Sequence, residues 1–282
     1  MNEGEAAPTS VAVQNSRNLL ARVAAAVVLA PLAIAIAYAG GWLWTALVTL
    51  AAIGLYLEWL TIVGVAGETR AVAAGVLALV AAGLFLAAAR IEAAFIVLSI
   101  GLVAVAAISQ QRRGWITGGF LYSAAAQAAS VLTRLDSTSG FAALVFILLI
   151  VWVTDIGGYF AGRGIGGPKL WPRVSPKKTW AGATGGFVAS IFVAAGFVAL
   201  HFGTAGALLT LGAILSIVSQ LGDLFESAVK RRFGVKDSSH IIPGHGGLLD
   251  RLDGFVAAIV LAAILGVVRG GMDGVGRGLM IW

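Results

Sequence analysis

The chain has 282 residues, 59% of them apolar and 11% charged, with 38 glycines and a mean hydropathy of +0.95. Soluble domains are about 25% charged, so this composition excludes a soluble globular protein, a disordered chain and a collagen-like fibre, and indicates a polytopic membrane protein. The lack of cysteine excludes disulfides, thiolate catalysis and Cys-ligated zinc, and the net charge of +6 is informative through where it falls.

Residues 1–18 are polar and read as a disordered cytoplasmic tail. Nine apolar segments follow, each sufficient for a hydrocarbon core of about 30 Å: 19–39, 43–65, 71–89, 93–109, 116–134, 140–160, 181–202, 205–226 and 254–270. The first resembles a signal-peptide core, but eight further spans favour a retained helix. Ser123, Gln127, Ser130 and Thr133 interrupt the fifth. The pattern predicts an all-α, polytopic transmembrane helical bundle of about nine spans, with 19–138 as an N-terminal scaffold and 139–282 as a catalytic region. Glu58 lies in or near the second span, where a carboxylate is costly; it is a candidate for a role at the site, against helix packing or an interfacial position.

Fifteen of the 19 Lys and Arg residues fall in one set of alternate loops, and only Arg90, Arg134, Arg269 and Arg277 in the other. The positive-inside rule then predicts a cytoplasmic N-terminus, an outside C-terminus, and connections 161–180 and 227–253 both facing the cytoplasm. The expected location is a bacterial-type cytoplasmic membrane. Most of the polar material after the tail lies in those two connections, which locates the chemistry.

Around the first connection the chain reads Asp155-Ile156-Gly157-Gly158-Tyr159, then Gly162-Arg163-Gly164-Ile165-Gly166-Gly167. The glycines satisfy a dinucleotide-binding pattern, but no βαβ unit surrounds them and Pro168 follows. What remains is a glycine turn with Arg163, Lys169, Arg173, Lys177 and Lys178, joined by Ser175 and Thr179: a trap for polyphosphate.

At the second connection, Asp223, Ser227 and Lys230 recur at i, i+4 and i+7, a single helical face that offers a carboxylate, a hydroxyl and an ammonium to a metal and a phosphate. Lys230-Arg231-Arg232 taken alone would be a membrane-surface anchor. Gly244, Gly246 and Gly247 allow close approach of backbone amides to phosphate oxygens just before a helix starts. Mg²⁺ takes one or two carboxylates plus phosphates and water, a description that suits Asp223 and Asp250. Asp253 is a third ligand, a partner of the ligands, or a counterion for Arg251. His240 and His245 make a poor zinc pair across Pro243-Gly244, and His245 reads as a phosphate or base contact.

The run from Ser227 through Lys230-Arg231, Lys236-Asp237, Pro243-Gly244-His245-Gly246-Gly247 and Asp250-Arg251-Leu252-Asp253 resembles the signature of the phosphatidate cytidylyltransferases, or CDP-diacylglycerol synthases, over about 27 consecutive residues. Ser175-Pro176-Lys177-Lys178-Thr179-Trp180 agrees independently, as do Asp155 and Tyr159. One position departs: Ala181 stands where the family typically has Glu. The resemblance implies an integral-membrane enzyme of phospholipid biosynthesis that converts CTP and phosphatidate to CDP-diacylglycerol and pyrophosphate. It further implies a Mg²⁺-dependent site at the membrane–cytoplasm boundary, with room for a monovalent cation such as K⁺. Asp223 and Asp250 match the metal-binding carboxylates; with Ser227, Lys230 and Arg231 they form the expected catalytic group. The substrate-binding set is Asp155, Tyr159, Ser175, Lys177, Lys178, Thr179, Lys236, Asp237, His245, Gly246, Gly247, Arg251 and Asp253. Expected partners are CTP, phosphatidate and membrane lipids, not nucleic acid, and a homodimer is compatible with the sequence. A CTP-dependent polyprenol or phytol kinase and a transporter or flippase are the competing readings; transport predicts broken-helix repeats with midplane charges, not charges gathered in two connections.

Overall fold

The computed structural model describes residues 31–239 and 247–282. The polar tail, the start of the first expected span, and His240, Gly244, His245 and Gly246 lie outside the described residues. After helical residues 31–39 come α1 (Gly41–Val63), α2 (Thr69–Ala87), α3 (Ile91–Ile108), α4 (Arg113–Leu135) and α5 (Gly140–Gly164). Strands β1 (Lys169–Trp171) and β2 (Ser175–Thr179) follow, then α6 (Trp180–Ala199), α7 (Ala205–Arg232), α8 (Leu249–Gly270) and the short α9 (Val275–Met280). Seven of these, all except α4 and α9, are long and apolar enough to cross a membrane.

The expected fifth span is therefore a helix, but not an apolar one. Packing explains its composition. Helix α4 is enclosed by α1, α2, α3, α5, α8 and α9, and Ser123, Gln127, Ser130 and Thr133 are all buried. Gln127 Nε2 donates to Thr49 Oγ1 at 2.8 Å and to the Leu79 carbonyl at 2.9 Å, while Trp44 Nε1 donates to the Ser130 carbonyl at 3.1 Å. A helix surrounded by protein can carry polar side chains that a lipid-facing surface would not, even where, as at Ser123 Oγ and Gln127 Oε1, no hydrogen-bond partner stands among the described residues.

A second departure from the all-α expectation is the antiparallel pair β1–β2, with Lys169 opposite Thr179 and Trp171 opposite Ser175. Gly166 and Gly167, at φ of 70° and 92°, turn the chain out of α5, and Pro168 and Pro172 cannot continue a helix. Helices α5 and α7 also run further than their apolar stretches, and α8 starts earlier, at Leu249, so both polar connections are shorter than the sequence indicates.

Helices α5 and α6 touch backbone to backbone. A Cβ on Gly186 would lie 2.4 Å from the Thr154 carbonyl oxygen, and one on Gly182 would lie 2.8 Å from that of Gly158. This small-residue pair is spent on packing within the chain. On the site side of the bundle, Trp59 of α1 stacks near Tyr122 of α4 and Phe225 of α7, with ring centroids 5.6 and 6.2 Å away. At the far ends, Asp136 accepts from Arg277 N at 2.7 Å and Nε at 3.2 Å, docking α9 against the α4–α5 turn.

Candidate active site

One cavity of about 1150 Å³ opens between α5, α7, α8 and the β-hairpin, and it gathers most of the ionisable groups singled out above. Four carboxylates line it: Asp155 from α5, Asp223 from α7, and Asp250 and Asp253 from the first turns of α8. So do five cations: Arg163, Lys177, Lys178, Lys230 and Arg251. Trp152, Leu170, Leu248 and Leu252 supply apolar wall.

The backbone contacts of α5 and α6 decide how the first connection meets this cavity. They bring β2 to the end of α5, where the Thr179 hydroxyl caps α6 by accepting from Gly182 N at 3.1 Å. Lys178 is thereby aimed across at Asp223, with which it forms an ion pair. Ser227 Oγ stands 3.4 Å from the other Asp223 oxygen, a long contact. The two connections thus converge, as Arg231 also indicates by reaching the Val174 carbonyl at 3.4 Å.

Lys230 shares a face of α7 with Asp223 and lines the same cavity, but it does not pair with Asp223. It lies between two other carboxylates, Asp250 at 2.6 Å and Glu226 at 2.6 Å. Asp250 Oδ2 accepts from Ser238 N at 3.1 Å, Ser238 Oγ at 3.0 Å and Gly247 N at 3.0 Å. Asp253 Oδ1 accepts from Gly254 N at 2.7 Å. Asp155, Asp223 and Asp253 are close enough for their charges to interact.

Of the residues named from sequence, Asp155, Tyr159, Lys177, Lys178, Thr179, Asp223, Lys230, Asp250, Arg251 and Asp253 line the cavity. Ser175, Ser227, Arg231, Lys236 and Asp237 are not among its lining residues; Lys236 and Asp237 are exposed. Gly247 reaches the site through its backbone amide, and His245 and Gly246 lie outside the described residues. The donor set is hard oxygen. Among the described residues no three acidic or histidine side chains converge on a single point.

A model described as "Cytidylyltransferase family" matches residues 20–268. The chain belongs to this family. "Phosphatidate cytidylyltransferase" of Brucella suis is 38% identical over 256 residues, covering 89% of this chain and 94% of that one. The protein of the same name from Staphylococcus epidermidis is 49% identical over 131 residues, 45% of this chain and 50% of that one. That of Staphylococcus haemolyticus is 42% identical over 178 residues, 62% and 59% of the two chains. The resemblance read from the motifs and these relatives agree.

Two acidic residues acquire partners that the motif did not assign. Glu226 faces Lys230 with its side chain 2% exposed; its place four residues before a lysine on a helix was the available signal. Glu58 is 1% exposed and accepts four hydrogen bonds from residues flanking 240–246. Only its cost inside an apolar span marked it in the sequence.

Proposed function

We propose that this family member is a phosphatidate cytidylyltransferase, transferring the cytidylyl group of CTP to the phosphate of phosphatidate. The supporting observation is one cavity, set among helices long enough to span a membrane, that gathers four carboxylates and five cations beside apolar wall. In the reaction a phosphatidate oxygen attacks the α-phosphorus of CTP, a P–O bond forms, the bond to the β-phosphate oxygen breaks, and pyrophosphate leaves. Attacker, nucleotide and leaving group are all anions, so charge neutralisation is the main demand on the protein.

Lys177 and Lys178 on β2, Arg163 at the end of α5 and Arg251 on α8 are placed to grip phosphates from opposite walls. Lys230, held between Glu226 and Asp250, presents a fixed ammonium to the same space. Trp152 and Leu252 give the glycerol end of a lipid an apolar contact. Asp223 and Asp250 are the residues that would hold Mg²⁺, which when bound offsets negative charge on the phosphates. The charge distribution along the chain supports nine spans, a cytoplasmic N-terminus and a cavity that faces the cytoplasm.

The test is to incubate the purified protein with labelled CTP, phosphatidate and Mg²⁺ and to identify both products. CDP-diacylglycerol and pyrophosphate in equal amounts are expected. Release of CDP with a newly phosphorylated lipid would replace this reading with a kinase.

A further inference from the structure

Glu58 belongs to α1, far in sequence from the cavity, yet its carboxylate is the meeting point of both stems that flank 240–246. Oε2 accepts from Ser238 Oγ at 2.9 Å and from Leu249 N at 2.7 Å. Oε1 accepts from Ser239 Oγ at 2.6 Å and from Leu248 N at 2.8 Å. The amides of Leu248 and Leu249 open α8, where no intrahelical acceptor exists, and Leu248 at the cap position provides no side-chain cap. A carboxylate from another helix takes that role. The fit around it is tight: a Cβ on Gly247 would lie 1.7 Å from Ser238 Oγ and 2.5 Å from Glu58 Oε2.

The link to the site is Ser238. Its hydroxyl lies 2.9 Å from Glu58 Oε2 and 3.0 Å from Asp250 Oδ2, and with a single proton it donates to one of them at a time while touching both. Its amide and that of Gly247 hold the same Asp250 oxygen. A carboxylate buried in an apolar helix is expensive; here its removal would take the acceptor from the amides of Leu248 and Leu249, release the hydroxyls of Ser238 and Ser239 from α1, and free the frame that orients Asp250.

We infer that Glu58 is a positioning residue: its buried carboxylate pins both stems and, through Ser238, sets where the Asp250 carboxylate stands in the cavity. The inference rests on the reading above in placing Asp250 at the reacting centre. Glu58→Gln keeps the volume but turns an amide NH₂ toward two of the four donors. Partners that orient a metal-binding or catalytic group cost about tenfold to a hundredfold in activity when removed. Turnover of Glu58→Gln per folded molecule should fall by that factor, with a smaller change in KM for CTP. Hydrogen exchange in detergent should quicken at 247–252 and stay unchanged in α2 and α6. Ser238→Ala and Glu58→Gln act on one frame, so the double variant should lose less than the product of the two single losses.

Wild-type turnover in Glu58→Gln, faster exchange throughout the bundle, or fully multiplicative losses would each overturn the inference. Retained turnover in Asp250→Asn would instead sink the place given to Asp250 in the reaction. The exchange pattern needs no turnover and still decides whether Glu58 holds the frame.

Discussion

Replacing Lys230 by Met separates two roles that the structure superimposes. The Lys230 side chain is 11% exposed, and its neighbours Glu226 and Asp250 are 2% and 15% exposed. Asp250 keeps its three donors from Ser238 and Gly247 when the ammonium is gone. Glu226 keeps none, because neither of its oxygens accepts a well-formed hydrogen bond among the described residues. Removing one partner of a buried ion pair costs about 3–5 kcal/mol, whereas replacing both by apolar groups is close to neutral. Lys230→Met should therefore lower stability by about 3–5 kcal/mol in a denaturant titration of detergent-solubilised protein, and Lys230→Met with Glu226→Leu should recover most of it. If Lys230 also grips phosphate, turnover per folded molecule stays down in both variants. The expected loss is about tenfold to a hundredfold, since a charge-assisted contact is worth about 1.5–3 kcal/mol. Turnover that returns together with stability would reduce Lys230 to a counterion for Glu226 and remove it from the chemistry.

Asp223→Asn and Asp250→Asn should each abolish turnover without preventing membrane insertion; activity above about a tenth of wild type at saturating Mg²⁺ would refute their assignment as metal-binding groups. Gly186→Ala places a methyl 2.4 Å from the Thr154 carbonyl oxygen, so α5 and α6 must separate. Overpacking of this kind costs about 1–3 kcal/mol, and a thermal midpoint equal to wild type would show that the helices part freely. Asp136 lies outside the spanning helices. Burial pushes its carboxyl up, but hydrogen bonds from Thr138, Arg277 and Ser139 outweigh that and hold it at about 2, against an ordinary 3.8. The folded value is the lower one, so the contribution, about 2 kcal/mol, is complete above about pH 5 and disappears as pH falls through 4 toward 2. Acid titration of stability should show this slope in the wild type and lose it in Asp136→Asn; identical curves would refute it.

Hydropathy made seven of the spans legible, because a helix facing lipid must be apolar along its length. The same rule marks α4 only weakly, because buried groups such as Gln127 bond to neighbouring helices. The motifs of the two connections together pointed to the family and named ten residues that do line the cavity, since groups that serve one chemistry leave a fixed local spacing. Spacing did not reveal pairing. On the α7 face shared by Asp223, Ser227 and Lys230, the carboxylate turns to Lys178 of the hairpin and the ammonium to Asp250 of α8. The first choice depends on how closely α5 and α6 approach at Gly182 and Gly186, the second on the packing of α7 against α8. Glu58 makes the same distinction. Its cost in an apolar helix was plain from the sequence, but its four donors come from positions about 180 to 191 residues away. Local pattern determines which segments enter the membrane and which groups are costly to bury; only the packed bundle decides which distant donors and charges offset that cost, because those contacts form across helices with no fixed separation in sequence.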